Sequence, residues 1–305
     1  MNNNEKNYNC TVVIPTFFSG NIIRQNIESL PTDIDILIID NTHDNRILEN
    51  IKSYNNIKYF NIGDVGLPKT FNFALSKIAT KYFLITQPDV VLRKNCLERL
   101  LLSMAKYPDA GMVAPIVFDN SLYSQNDYYD LKYDKYNKKF NYKKNKINII
   151  PTGDICVDAI NATTILIKTE VIKKIGGWDE NIYVYLEDID ISLRMTLDKY
   201  SIIKIKDAVV DHKGWSSHFI EIKDTMNISR VWHFTWSSLY FKKKFSKKYK
   251  YIFSIAKIIF FSLFKITFYS LFFNKKKIIL NNVKIMACVA HIFNRGSYYR
   301  INHNI

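Results

Sequence analysis

The chain has 305 residues, 48% apolar and 23% charged, with 43 Lys plus Arg against 28 Asp plus Glu and a net charge of +15. A chain of this length and composition buries a full core without metal or disulfide staples, as one large domain or two ordinary ones. Only 9 Gly and 7 Pro are present, which excludes collagen-like and Gly/Pro-rich disordered classes.

The charge is unevenly placed. Residues 1–120 carry 12 basic and 12 acidic side chains, 121–241 carry 17 and 16, and 242–305 carry 14 basic and none acidic. A nucleic-acid-binding domain mixes basic residues into its folded body. Here a neutral body precedes a basic, apolar tail, which points to the cytosolic face of an anionic membrane and to no nucleic-acid partner. Cys10, Cys96, Cys156 and Cys288 show neither CxxC nor Cys/His spacing. A disulfide scaffold and a zinc finger are therefore unsupported, and reduced cytosolic thiols are expected. The polar opening MNNNEKNYNC predicts no signal peptide.

In chain order, Thr11 to Pro15 reads as a buried strand, Asn21 to Leu30 as helix, and Asp35 to Asp40 (DILIID) as a second buried strand. Asn45 to Tyr54 is helical, Ile57 to Ile62 a strand, and Leu67 to Ala79 a helix with Phe71, Leu75 and Ile78 on one side. Tyr82 to Thr86 is a fourth strand, Arg93 to Tyr107 a helix, and Gly111 to Phe118 a fifth strand. This alternation predicts an α/β fold of Rossmann type, a mostly parallel sheet with helices on both faces. Residues 119–150 break the pattern and read as an irregular insertion. Strands resume from Val157 to Lys168, followed by a short helix to Ile175, a Gly176-Gly177 turn, a helix from Leu186 to Lys199, a strand from Ile202 to Asp211 and a long aromatic helix from Asp224 to Lys244. The expected domains are 1–245, containing the sheet, and a basic tail over 246–305.

In an open parallel sheet, ligands bind beyond the carboxyl ends of the strands. Asp40-Asn41, Gly63 to Gly66 with Asn72, and Gln87-Pro88-Asp89 follow three successive strands. Each alone is an ordinary turn sequence, but together they favour a nucleotide site. Neither GxGxxG nor a Walker motif is present, so a dinucleotide oxidoreductase is poorly supported. Glu187-Asp188-Ile189-Asp190 suits a helix start, where carboxylates complement the dipole, and Asp190 has Arg194 four residues on for pairing. A Glu-Asp pair just after Trp178, Tyr183 and Tyr185 also suggests a cleft wall with a general base. Asp211-His212-Lys213-Gly214 and Ser216-Ser217-His218 follow a strand, and His212 with a distant acid such as Asp89 could hold a divalent ion.

These residues resemble glycosyltransferase family 2, inverting enzymes of GT-A fold, and within it rhamnosyltransferase-like bacterial members. The matching segments are VVIPT at 12–16, IIDN at 38–41, NIGDVGLPKTFN at 61–72, QPDVVL at 87–92, IGGWDENIYVYLEDIDISLR at 175–194 and DHKGWSS at 211–217. The resemblance implies a nucleoside-diphosphate sugar held by Thr16, Asp40, Asn41, Gly66, Lys69, Asn72 and Asp89. It implies Mn2+ or Mg2+ on Asp89 and His212, Asp188 as catalytic base beside Glu187, and Trp178 and Asp179 at the acceptor. The acceptor would be a saccharide or lipid-linked saccharide in surface polysaccharide synthesis, and the donor dTDP-rhamnose or a UDP-sugar. Gln87 departs from the usual Asp or Asn of the metal motif and lacks its charge. That departure keeps open a non-catalytic nucleotide- or glycan-binding module on the same fold.

Tyr251 to Phe273 is long enough to cross a bilayer. However, Lys250, Ser254, Lys257 and Lys265 fall in one stripe about 80° wide at 100° per residue. Lysines flank both ends, six within 242–250 and three at 275–277, where a spanning helix should show basic asymmetry. An in-plane helix on the inner face of the cell membrane accounts for both flanks. A helical hairpin packed on the domain is a third reading. The expectation is a cytoplasmic, peripherally bound protein.

Overall fold

The computed structural model describes residues 8–119, 122–123, 128–135, 139–144, 151–213 and 223–300. Gly214 to His218, which carry the end of the last motif, lie outside them. The elements are β1 (Cys10–Thr16), α1 (Ile23–Glu28), β2 (Asp35–Asp40), α2 (Asn45–Ile51), β3 (Ile57–Asn61), α3 (Leu67–Lys77), β4 (Tyr82–Thr86), β5 (Val90–Leu92), α4 (Cys96–Lys106) and β6 (Ala110–Asp119). There follow β7 (Leu122–Tyr123), β8 (Tyr128–Asp134), β9 (Lys139–Lys144), β10 (Ile155–Val157), β11 (Ala159–Ile160), β12 (Thr164–Lys168), α5 (Thr169–Lys174), α6 (Glu187–Leu197), β13 (Ser201–His212), α7 (Lys223–Phe245), α8 (Lys248–Leu271) and α9 (Lys275–Ile292).

The described residues fall into two compact units. The first, drawn from Met1–Leu131, Tyr142–Trp178 and Asp188–His218, holds a sheet of order β10-β13-β6-β12-β4-β1-β2-β3, with β5 on β13 and β7 on β6. Side chains of a strand alternate between faces, and the fully apolar runs serve both. Val12, Ile14, Ile36, Ile38 and Leu84 pack with Ile23 and Ile27 of α1 and Leu97 and Leu100 of α4. Val13, Leu37, Ile39, Phe83 and Ile85 pack with Phe71 and Leu75 of α3, Ile172 of α5 and Ile191 of α6.

The sheet is mixed, with six of its ten strands pointing the same way. β1 runs parallel to β2 and β4, β2 to β3, and β13 to β6. The antiparallel pairs are β12 with both β4 and β6, β10 and β5 with β13, and β7 with β6. Because β12 reverses twice, β6 and β13 regain the direction of β4. The carboxyl ends at Thr16, Asp40, Asn61, Thr86, Asp119 and His212 therefore share one edge. The stretch expected to be irregular contains strands in its described part, and β11 pairs with β8 through Ala159 and Tyr129.

The second unit, drawn from Lys132–Asn141, Asp179–Glu187 and Phe219–Ile305, is helical at its C-terminal end. Its division differs from the expected boundary at 245, because α7 groups with α8 and α9. Trp232 and Trp236 of α7 pack on Val283, Ala287 and Ala290 of α9, whose small side chains make room for the indoles. Ile255 of α8 packs with Leu239 and Cys288. The cysteines are all free, with Cys10, Cys96 and Cys288 buried and Cys156 exposed.

Two imidazoles are buried in this unit. His233 stacks on Tyr183 at 4.3 Å between centroids, and its Nδ1 lies 3.0 Å from Ser297 Oγ. Burial, reinforced by the Arg300 guanidinium, pushes its pKa down to about 3. His291, against the Trp236 carbonyl, is also lowered by burial. Below about pH 6.5 the unfolded imidazoles bind protons that the folded ones exclude. The helical unit should thus hold full stability above that pH. Through His233 it should lose up to about 1.4 kcal/mol per pH unit as pH falls toward 3, and His291 adds a loss in the same direction. Hydrogen exchange of the α7 to α9 amides at pH 7 and pH 5 checks this, and His233→Phe should flatten part of the slope.

Candidate active site

Asp40, at the end of β2, is completely buried. Its Oδ1 accepts from Thr16 Oγ1 at 3.0 Å, the Thr42 backbone N–H at 3.0 Å and Thr42 Oγ1 at 2.9 Å. Oδ2 accepts from Tyr59 Oη at 2.8 Å, Asn61 Nδ2 at 3.1 Å and the Asp44 N–H at 3.4 Å. A buried carboxylate is tolerated when its lone pairs are filled in this way. Burial and the bond to Asp40 push the Tyr59 pKa up to about 12, so its hydroxyl stays a donor. Asp40 thus organises the rim, while Thr16, Thr42 and Asn61 surround it. Asn41 is buried beside it, its N–H on Thr16 O at 3.0 Å and its Oδ1 accepting from Thr70 Oγ1 at 2.9 Å.

Asp89 and His212 are brought together by the short strand between them in space. β5 starts directly after Asp89 and pairs antiparallel with the end of β13, setting Val90 opposite His212. The Lys213 N–H donates to Asp89 O at 3.0 Å, extending the ladder. Arg93 grips Asp211 with two bonds, of 2.8 and 2.6 Å, and fixes the strand end. The result puts His212 Nε2 3.5 Å from Asp89 Oδ2, with His212 Nδ1 2.6 Å from Asp119 Oδ1. Burial lowers the His212 pKa, but hydrogen bonds and charge from Asp89 and Asp119 outweigh it, and the net shift is upward. Asp89 Oδ1 is buried and has no hydrogen-bond partner among the described residues.

These features fit a divalent cation. An unpartnered buried carboxylate oxygen is costly, and a pocket that favours a positive imidazolium favours a metal charge equally. A proton on Nδ1 shared with Asp119 leaves the Nε2 lone pair for coordination, the carboxylate–histidine arrangement common behind metals. Among the described residues no group of three His, Cys, Asp or Glu side chains is arranged to hold a metal, so Asp89 and His212 are the two side chains this corner offers a cation. The neutral Gln87 adds no charge; its Nε2 points to the Ala162 carbonyl at 3.4 Å.

The loop after β3 turns through Gly63 and Gly66, with φ of 70° and 86°. At Gly66 ψ is 162°, a region open essentially to glycine alone. Its carbonyl accepts from Thr70 N and Oγ1 at 3.1 and 2.9 Å, starting α3. Lys69 is exposed in that first turn. Asn72, expected at the nucleotide, clamps the Trp178 backbone, donating to its carbonyl and accepting its N–H, each at 2.9 Å. Trp178, expected on a cleft wall, is 4% exposed and packs on Phe71 and Phe83 at 5.0 and 6.3 Å.

The expected Asp190–Arg194 pair forms, Nε to Oδ2 at 2.8 Å, and Arg194 Nη1 also reaches the Ile175 carbonyl at 2.9 Å. Met195 lies against Gly111, at the amino end of β6. Asp188 lies seven residues earlier, about 10 Å back along the helix. It is half-buried, and Oδ1 caps the Ile189 N–H at 2.8 Å. Tyr185 and Leu186 precede the helix with φ of 70° and 65°. Two such non-glycine residues in succession store strain, of the kind that accumulates at functional sites.

In the second unit, Glu187 is buried. Asp179, expected at the acceptor, has its carboxylate taken by Lys244 Nζ at 2.7 Å, Tyr240 Oη at 3.0 Å, and Asn181 N and Nδ2 at 3.1 and 2.8 Å. Burial raises its pKa, yet these donors bring it down to about 2. Asp179 therefore ties α7 down.

Three contributors were missed in the sequence. Asp119 supports His212, and its place at the end of β6 was the available signal. Asn26 is fully buried in α1 and donates to Thr86 Oγ1, Gln87 O and Val90 O at 3.3, 3.1 and 2.7 Å, fixing the loop that carries Asp89. A polar side chain between Ile23 and Ile27 on an apolar helix face was its signal. Arg93 had none.

Residues 11–162 match the family described as Glycosyl transferase family 2. That match covers just under half of the chain. No curated protein sequence matches it significantly. Among solved structures, the mannosyltransferase PcManGT from Pyrobaculum calidifontis, in complex with GDP-Man and Mn2+, aligns with a TM-score of 0.55 at 13% identity, covering 94% of this chain and 88% of that one. S. aureus TarS 1-349 aligns at 0.50 and 14%, covering 95% and 93%. GalNAc-T7 with UDP, GalNAc and Mn2+ aligns at 0.54 and 16%, over 67% of this chain and only 43% of that one. At such identities the likeness is one of fold, and the fold is GT-A.

At Gly177, φ is 69° and an added Cβ would lie 2.5 Å from Asn72 Oδ1. Gly177→Ala should destabilise the protein by about 1–3 kcal/mol, read as a lowered midpoint in thermal denaturation.

Proposed function

We propose that the chain is an inverting glycosyltransferase that moves a sugar from a nucleoside-diphosphate sugar to a saccharide or lipid-linked saccharide acceptor in surface polysaccharide synthesis. The observation that carries this reading is the unpartnered Asp89 oxygen beside His212, on the same sheet edge as Thr16 and Asp40. UDP and GDP-Man in the structural neighbours support the donor class. The rhamnosyltransferase-like resemblance favours dTDP-rhamnose or a UDP-sugar.

Thr16, Asn41 and Gly66 would frame base and ribose, with Asp40 acting through the donors it aligns. Lys69 would meet phosphate from the first turn of α3. Asp89 and His212 would hold Mn2+ or Mg2+, with Asp119 fixing the imidazole. Such an ion supplies charge neutralisation for a diphosphate leaving group. Asp188, at the start of α6, would take the proton of the acceptor hydroxyl. The acceptor oxygen bonds the anomeric carbon as its bond to the diphosphate breaks, and the configuration inverts. Asn72, Trp178 and the Asp190–Arg194 pair keep that helix end in register.

We further place the protein peripherally on the cytosolic face of an anionic membrane. Among the described residues one helix, Lys248–Leu271, is long and apolar enough to cross a bilayer, and its lysine stripe supports an in-plane position.

Asp188→Asn should abolish transfer in a panel of nucleotide sugars while retaining donor-induced thermal stabilisation; near-normal turnover rejects its role as base. His212→Ala should raise the Mn2+ concentration needed for half-maximal donor binding, and an unchanged titration removes it from the ligand set.

A further inference from the structure

Within the helical unit, α7, α8 and α9 surround an open pocket of about 350 Å3. Four ammonium groups line it: Lys242 from α7, Lys257 and Lys265 from α8, and Lys284 from α9. Nothing neutralises them from nearby in sequence, since 242–305 contains no Asp or Glu. Among the described residues none of the four has a carboxylate partner, and Lys242 donates only to Ser254 Oγ, at 3.0 Å. Burial and the charge of Lys257 lower the Lys242 pKa, and burial and Lys265 do the same to Lys284. Like charges gathered around one cavity repel unless an anion joins them.

A second observation comes from uncharged groups. Asn281, 5% exposed, lines the same pocket. Its Nδ2 donates to the Lys277 carbonyl at 2.8 Å, while its Oδ1 is buried with no partner among the described residues. An acceptor left so is costly, and the hydroxyl of a singly protonated phosphate would satisfy it. Ser262, 3% exposed, adds a hydroxyl to the lining. The combination of ammonium donors, a hydroxyl and one acceptor suits a phosphate monoester better than a carboxylate or sulfate, which have no proton to give.

A third observation says what the phosphate is attached to. Phe261 lines the pocket yet is 48% exposed, and Phe253, Phe260, Phe264 and Leu271 of the same helix are 64–74% exposed. Apolar side chains gain by leaving water, so the face favours an apolar cover. A soluble anion gives none, whereas a lipid brings phosphate and hydrocarbon together.

We propose that this lysine pocket binds the phosphate headgroup of an anionic lipid whose hydrocarbon lies along the exposed aromatic face of α8. The inference deepens the membrane reading given above and rests on it for the lipid, not for the anion site.

The test is co-sedimentation of the full chain with vesicles of phosphatidylcholine containing either phosphatidic acid, a monoester, or phosphatidylserine, a diester, matched in surface potential. The wild type should favour phosphatidic acid by about five- to tenfold, the order of one ammonium–phosphate contact near a membrane. Lys257→Gln with Lys284→Gln should erase that preference. Lys248→Gln with Lys275→Gln, an equal charge change at exposed positions outside the pocket, should weaken both bindings alike and keep the ratio. Circular dichroism and donor-induced stabilisation verify that the variants fold. Sedimentation with no monoester preference, or a preference that survives the pocket substitutions, overturns the pocket alone. Absence from every vesicle pellet overturns the membrane reading with it. Thermal stabilisation by inorganic pyrophosphate that the pocket variant loses, with no lipid preference, would assign the site to a soluble anion and overturn the lipid.

Discussion

The candidate site depends on an antiparallel ladder three residue pairs long. β5 is too short to be stable by itself; it exists because β13, beyond the three residues that pair with β10, offers it an edge. That pairing sets Asp89 beside His212 and lets Asp119, from the neighbouring strand, reach the far side of the imidazole. Without the ladder, the loop after β4 would be free to carry Asp89 into solvent. Asn26 below and the Arg93–Asp211 fork above close the same loop from two sides. An arrangement so heavily fixed by side chains that do not themselves face the crevice is what preorganised charge requires.

The buried rim works by a different principle. Asp40 does not advertise its charge; six donors absorb it. What reaches the surface is a set of hydroxyl and amide groups with few rotamers left to lose. Together the two devices divide labour along one edge, with shape around β1 to β3 and charge around β4, β6 and β13.

The layered fold was legible because its strands are apolar on both faces and its helices on one, so period and composition agreed from Cys10 to Thr86. The double reversal at β12 was not, since a buried strand reads alike in either direction. Candidate residues were reachable through strand-end position and family resemblance, yet their contacts were not. Trp178 and Asn72 stood among site motifs and belong to the core and to a backbone clamp, because an aromatic next to acids reads alike whether it lines a cleft or fills the core. In the tail, the lysine stripe of α8 was visible in the sequence. That it would meet Lys242 and Lys284 across two other helices was not, because periodicity gives a face but no neighbour.

Three thiols are sealed in apolar surroundings, two under the sheet and one in the helical unit, and burial pushes Cys10 and Cys96 up to about 12 and Cys288 up to about 11. Cys156 alone stands open, in the strand β10 at the border of the sheet. Since thiolate character and access set alkylation rates, a maleimide dye would attach there selectively on the unaltered chain. The molecule thus arrives with a built-in spectroscopic handle.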